Sequence, residues 1–295
     1  MGRLCGDRLI RLMFAYDGGV RQKYEIATAN GLRREVNARN AARCAAFEHE
    51  LTVGTVPSVI YHEDDAGSHG NFLAASYRRI CADEAWRKRL GKSYTASARV
   101  PRAGDRWRGE LECASSSDAL LMNLFCYPRV LCRPQVCSLL GVETGLRPEF
   151  GVRARIAMLR GEVDRTELDM RVGLLMVEAK LTEGGFGTAS RERLMRYVAV
   201  EDVFDIAELP WAGDVVQGYQ LIRGVIAAEA EGARFLVLCD RRRADMAEIW
   251  FRVLRAVRSC ELRSRMALLS WQELAAVMPD VVQEFLGEKY GIVAS

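Results

Sequence analysis

The stretch Glu167-Leu-Asp-Met-Arg-Val-Gly-Leu-Leu-Met-Val-Glu-Ala-Lys-Leu181 decides the fold class. Its first six residues alternate charged and apolar side chains, the period of a strand with one buried face. Gly173 then offers a tight reversal, and Leu174 to Leu181 returns as a second, strongly apolar strand. Alternate side chains on a strand share a face, so Glu178 and Lys180 project together while Val177, Ala179 and Leu181 point into the opposite layer. The reversal brings Asp169 beside Glu178 across the ladder. A pair of carboxylates beside an ammonium is the expected result.

The flanking segments extend this reading. Ser115, Ser116 and Ser117 precede Asp118-Ala-Leu-Leu-Met-Asn-Leu-Phe125, where a hydroxyl can cap a helix that Pro128 stops. A second helix is expected to end near Gly141, followed by an extended stretch from Glu149 to Leu159. Asp214 is read as the cap of a helix running to about Ala230, with Val215, Tyr219, Ile222 and Ile226 on one face. Phe235-Leu-Val-Leu-Cys239 reads as a buried strand, and helices are expected beyond it. The order from Ser117 is therefore helix, three strands, helix, strand. This predicts an α/β fold with a mixed central sheet flanked by helices, over residues 111–295. Gly31 to about Leu51 and Asn71 to Leu90 favour helix, so residues 1–110 are expected to form a mostly helical extension suited to recognising substrate or partner.

Composition constrains the chemistry less. The 295 residues are 49% hydrophobic and 27% charged, the balance of an ordinary globular protein. A formal charge of +3 is too small for bulk attraction to nucleic acid, so any such contact must come from local arginine clusters. Lysine stands only at Lys23, Lys88, Lys92, Lys180 and Lys289, which makes each one informative. The nine cysteines are odd in number and lack CxxC spacing, against both a disulfide scaffold and a zinc ribbon. Cys126, Cys132 and Cys137 are close enough to raise a metal cluster, but buried thiols are the expectation. No apolar run approaches the roughly 20 residues that cross a bilayer. Arg3, Arg8 and Arg11 around Leu12-Met-Phe-Ala15 do not make a signal peptide, so a cytoplasmic protein without membrane contact is expected.

Two carboxylates and a lysine at one strand end suit hydrolysis of a phosphodiester assisted by Mg²⁺ or Mn²⁺. Hard oxygen ligands hold such an ion, which polarises the phosphate and acidifies water. An E-x-K triplet alone is far more often an ordinary salt bridge. Its place at the end of an apolar strand, after an Asp-bearing strand and within this element order, gives it weight.

With these features the chain resembles the PD-(D/E)XK, or restriction-endonuclease-like, superfamily over about Glu112 to Asp240. Ser116 to Phe125, Glu178 to Gly187 and Gln220-Leu-Ile-Arg223 look like segments of a bacterial restriction-endonuclease group within it. The resemblance implies that Asp169, Glu178 and the Ala179 carbonyl bind the metal and that Lys180 positions the attacking water. It also implies DNA as substrate, with RNA not excluded, and a homodimer or a defence-complex partner. Leu168 replaces the usual proline before the acid, and the Gln-x-x-x-Tyr of related RecB-like nucleases is incomplete after Gln217 and Gln220. Glu149, ahead of Glu143, is the candidate for an additional acid, Gln220 for a residue near the metal, and Glu183 for a cap. The rival reading is a catalytically silent nucleic-acid-binding or assembly module that keeps the fold.

Weaker signals have plain alternatives. Gly184-Gly-Phe-Gly187 could let a phosphate approach, or be a loop. Arg241-Arg-Arg243 and Arg252, Arg255 and Arg258 could contact phosphates or line solvated surface. Trp107 and Trp271 are read as packing before stacking, and His62 and His69 around Glu63, Asp64 and Asp65 as an acidic turn before a second metal site.

Overall fold

The structure is a computed structural model and describes residues 27–52, 57–93, 108–165 and 167–294. Its central sheet has five strands: β1 (Pro148–Arg153), β2 (Glu167–Val172), β3 (Leu175–Ala179), β4 (Arg234–Cys239) and β5 (Met266–Ser270), in the order β5-β4-β3-β2-β1. β1, β2 and β3 are successively antiparallel, while β3, β4 and β5 run parallel. The fold is thus the mixed α/β architecture expected. Helices α1 (Ala29–Arg43), α2 (Ala74–Ala82) and α3 (Glu84–Leu90) form the helical N-terminal region. They are followed by α4 (Ser117–Phe125), α5 (Pro134–Leu140), α6 (Tyr219–Ala230), α7 (Ala244–Ala256), α8 (Trp271–Ala276) and α9 (Asp280–Tyr290).

β3 is buried at every residue because helices cover both of its faces. Met176 joins the apolar layer of α6 and α7, with Phe235 and Val237. Leu175, Val177, Ala179 and Leu181 join the opposite layer with α4, α8 and α9. α4 is buried along its whole length, and Ser116 starts it by accepting from the Ala119 N–H at 3.1 Å. The reversal between β2 and β3 is a two-residue turn. Gly173 has φ +57 and Leu174 has no positive φ, the pattern of a type II′ hairpin that favours glycine at the first central position. Parallel strands need crossovers, and α6 and α7 supply them on one face.

Three elements differ from the sequence expectation. α6 starts at Tyr219, because Gly218 takes φ +71 and the β-branched pair Val215-Val216 pairs with Thr188–Ser190 as a strand. α1 ends at Arg43, and His49–Leu51 forms a short ribbon with Val59–Tyr61 instead of continuing a helix. β5 lies within a region expected to be helical. Met266-Ala-Leu-Leu-Ser270 is a short apolar run whose local pattern does not separate strand from helix, and its parallel pairing with β4 settles the matter. Among the described residues no helix is long and apolar enough to cross a membrane. Cys126 and Cys137 are buried and Cys132 is exposed, all of them free thiols.

The N-terminal region packs onto the core. Leu32 and Val36 of α1 share the apolar layer of α9. Between these helices Lys289 is fully buried, donating to Asn40 Oδ1 at 2.7 Å and lying 4.8 Å from the Tyr61 ring. Burial, assisted by Arg43, holds this ammonium well below the ordinary lysine range. A base whose folded pKa is depressed makes stability rise with pH between that folded value and the unfolded value of about 10.4. Lys289→Met should therefore flatten this slope and raise stability at neutral pH, by roughly 1–4 kcal/mol on the scale of apolar replacement of buried charges. Urea unfolding from pH 6 to 10 checks it; an unchanged slope would contradict the account.

Candidate active site

The ladder positions the acids. Met170 pairs with Val177 as the last pair of the ladder, and Asp169 and Glu178 stand just beyond it on the two strands. The Ala179 N–H donates to Asp169 Oδ2 at 2.7 Å. Because the N–H and C=O of a strand residue point to the same edge, the Ala179 carbonyl is turned toward the same neighbour. Lys180 Nζ donates to Glu178 Oε1 at 2.6 Å and lies 5.9 Å from the centre of the Phe186 ring. The Lys180 backbone is held at both ends: its N–H donates to Leu238 O at 2.8 Å, and Trp271 Nε1 donates to its carbonyl at 2.8 Å.

These groups are buried, Glu178 at 1% and Lys180 at 7% exposure. Burial raises the Asp169 acid well above the usual carboxylate range, and the Glu178 and Asp118 carboxylates raise it further, against Lys180 and the Ala179 amide. Burial alone would lower the Lys180 ammonium, but Glu178, Asp169 and Glu183 together raise it. Lys180 therefore stays charged here and acts as a donor, not as a proton acceptor.

A second charged group adjoins the first. Glu167 lies two residues before Asp169 on β2 and so shares its face. Asp118, in the first turn of α4, faces it across two cations: Arg89 contacts Asp118 at 3.0 Å and Glu167 at 2.6 Å, and Lys92 contacts them at 2.6 and 3.1 Å. Burial works to raise both acids, yet Arg89 and Lys92 hold both below the ordinary range. Nearby Glu110 is pushed up to about 7 by burial and by Asp118, with Lys92 opposing. Gly151 makes room for the Arg89 guanidinium. It has φ +65, and a Cβ there would lie 2.2 Å from Arg89 Nη1.

The sequence-derived candidates fall into two sets. Asp169, Glu178, Ala179 and Lys180 come together as described. Glu149 is exposed on β1 opposite Arg171, two residues along β2 from Asp169. Gln220 sits at the start of α6, its N–H donating to Phe186 O at 2.9 Å, next to the ring below Lys180. Glu183 accepts from the Ser117 hydroxyl and from the Leu181 N–H, both at 2.6 Å, which ties the end of β3 to α4. Nothing lies within 4 Å of where a Cβ would stand at Gly184, Gly185 or Gly187. Arg242 and Arg243 are engaged with Asp240, Glu35 and Asp245. Arg255 pairs with Glu208, and Arg258 donates to Phe204 O. Trp271 is fully buried, and Trp107 lies outside the described residues. His69 is buried, and its imidazole is pushed down to about 4 by burial and by His62.

Sequence reasoning missed Arg89, Lys92, Asp118 and Glu110. Asp118 looked like a routine acid in a first helical turn. The scarcity of lysine was the signal available for Lys92.

Among the described residues no group of three or more His, Cys, Asp or Glu side chains could by itself hold a metal ion. A donor set of two facing carboxylates and a backbone carbonyl still fits a magnesium-type ion, which typically keeps several waters and takes one or two carboxylates. The raised Asp169 acid fits as well: two buried carboxylates share one ammonium, and a cation would relieve their repulsion.

A mixed α/β core carrying an acid pair and a lysine at the end of its hairpin is the framework of a restriction-endonuclease-like protein. The chain belongs to the family described as "Restriction Endonuclease associating with ARP", whose model matches residues 49–291. This membership points to a nuclease with a role in defence. No curated protein matches the chain, and no solved structure does.

Gly151→Ala should strain the backbone and displace Arg89, at about 1–3 kcal/mol for a non-glycine residue in a sparsely populated conformation. Chemical denaturation measures this, and unchanged stability would contradict the steric account.

Proposed function

We propose that the protein is a metal-dependent nuclease that hydrolyses DNA phosphodiester bonds. The observation that carries this reading is the closeness of Asp169 and Glu178 just beyond the last pair of the hairpin, with Lys180 bonded to Glu178. Asp169, Glu178 and the Ala179 carbonyl would hold Mg²⁺ or Mn²⁺. When bound, that ion supplies Lewis acidity toward the phosphate and lowers the pKa of water.

The residues of the chain do the remaining work. Lys180, kept charged, donates to Glu178 and has further N–H donors with which to orient water or meet charge developing on a phosphate oxygen. The bonds to Leu238 and from Trp271 fix the Lys180 backbone, so the ammonium is presented from a rigid element. Ala179 holds Asp169 in place through its amide. Gly184 and Gly185 leave open space beside the strand end for an incoming backbone.

DNA is the substrate favoured by family membership, and the partner implied by the family's description is the associated ARP. The N-terminal region contributes Arg89 and Lys92 to the acid cluster, so we assign these two residues a part in shaping the cleft, and the region 1–110 a part in recognition.

Purified protein should cut plasmid or single-stranded DNA in Mg²⁺ or Mn²⁺ and not in EDTA. Lys180→Ala and Glu178→Gln should each lower the rate by roughly 10²–10⁴-fold, the usual scale for a positioned catalytic group. Cutting that survives both substitutions would sink the assignment. DNA binding with no cutting under any metal would instead favour a silent binding module.

A further inference from the structure

Asp118 and Glu167 are matched by two permanent cations, Arg89 and Lys92, each contacting both acids. Asp169 and Glu178 are not so matched: the direct ion pair there is Lys180 with Glu178. The two acid pairs thus differ in charge balance although one member of each, Glu167 and Asp169, lies on the same face of β2. Lysine is scarce in this chain, yet two of its five lysines end at this cluster. The distinction from arginine is physical. An ammonium is compact and strongly hydrated, and can stand between two carboxylates as a hard cation does, whereas a guanidinium is a planar fork shaped for bidentate contact. Lys92 Nζ does stand between them, within 3.1 Å of both acids.

We infer that the Lys92 ammonium replaces a second divalent cation, bridging Asp118 and Glu167, so that the cleft takes a single metal ion at Asp169 and Glu178. The inference rests on the metal-dependent reading proposed above. With Glu183, whose charge also acts on Lys180, the carboxylates balance the three cations and one divalent ion. Two ions would leave the cleft strongly over-charged. The other acids nearby offer no second site. Glu183 commits both oxygens to Ser117 and Leu181, and Glu110 is buried at the margin beside Asp118.

The test is Mn²⁺ binding to the full chain without DNA, with free Mn²⁺ followed by electron paramagnetic resonance. Glu178→Gln serves as the reference that marks the ion held in the cleft. Wild type should bind one ion there. Lys92→Gln should gain a second, and Lys92→Arg, which keeps the charge, should stay at one. Two cleft ions in wild type, or no gain in folded Lys92→Gln, would overturn the inference and leave the nuclease reading intact. No ion in wild type would overturn that reading, and this inference with it. Asp118→Asn keeps the question open to a clear answer should Lys92→Gln fail to fold, as judged by circular dichroism. It should retain the single ion, and its loss would show that Asp118 is a ligand and not the ammonium's partner.

Discussion

The register of one hairpin is the constraint on which the site depends. A strand slipped by one residue turns every side chain to the opposite face. Here the apolar half of β3 is packed against α4, α8 and α9, so a slip would turn Val177 and Ala179 toward the acids and press charge into the apolar layer. The hydrophobic layer therefore does more than stabilise the sheet. By fixing Met170 opposite Val177 it holds two carboxylates close together just beyond that pair, an arrangement that neither residue would favour alone.

Like charges held together in a buried place must be compensated, and the structure does this by two different means. At Asp118 and Glu167 the compensation is internal, from Arg89 and Lys92. At Asp169 and Glu178 it is partial, and the shortfall raises the Asp169 acid after burial has already done so. Perturbed ionisation of this kind is common where charge is to be bound or moved. The difference between the pairs sets apart the acids that hold the cleft together from those that are free to meet a ligand.

The hairpin and its acids were legible in the sequence because they rest on local rules: period-two alternation, a glycine at the reversal, a serine cap before α4. β5 was not, since a five-residue apolar run acquires its identity only from β4 beside it. The start of α6 was misplaced because Asp214 looks like a cap, while the left-handed Gly218 decides where the helix begins. Arg89 and Lys92 escaped notice for a related reason. Their partners are far away in the chain, and nothing local to Glu84–Leu90 distinguishes a buried cation from a solvated one. Glu149 had the right chemistry on a strand next to β2, but stands exposed opposite Arg171.

The bond from Trp271 to the Lys180 carbonyl spans 91 residues of chain. At translation rates of roughly 5–20 residues per second, Asp169, Glu178 and Lys180 are made on the order of ten seconds before the tryptophan that secures them. Leu238, the other anchor of Lys180, also comes late. The emerging polypeptide thus carries Asp169, Glu178 and Lys180 in an unfinished frame until Trp271 has been made. The order in which these parts are made thus sets when the cleft can become rigid: not before β4 and Trp271 have folded against β3.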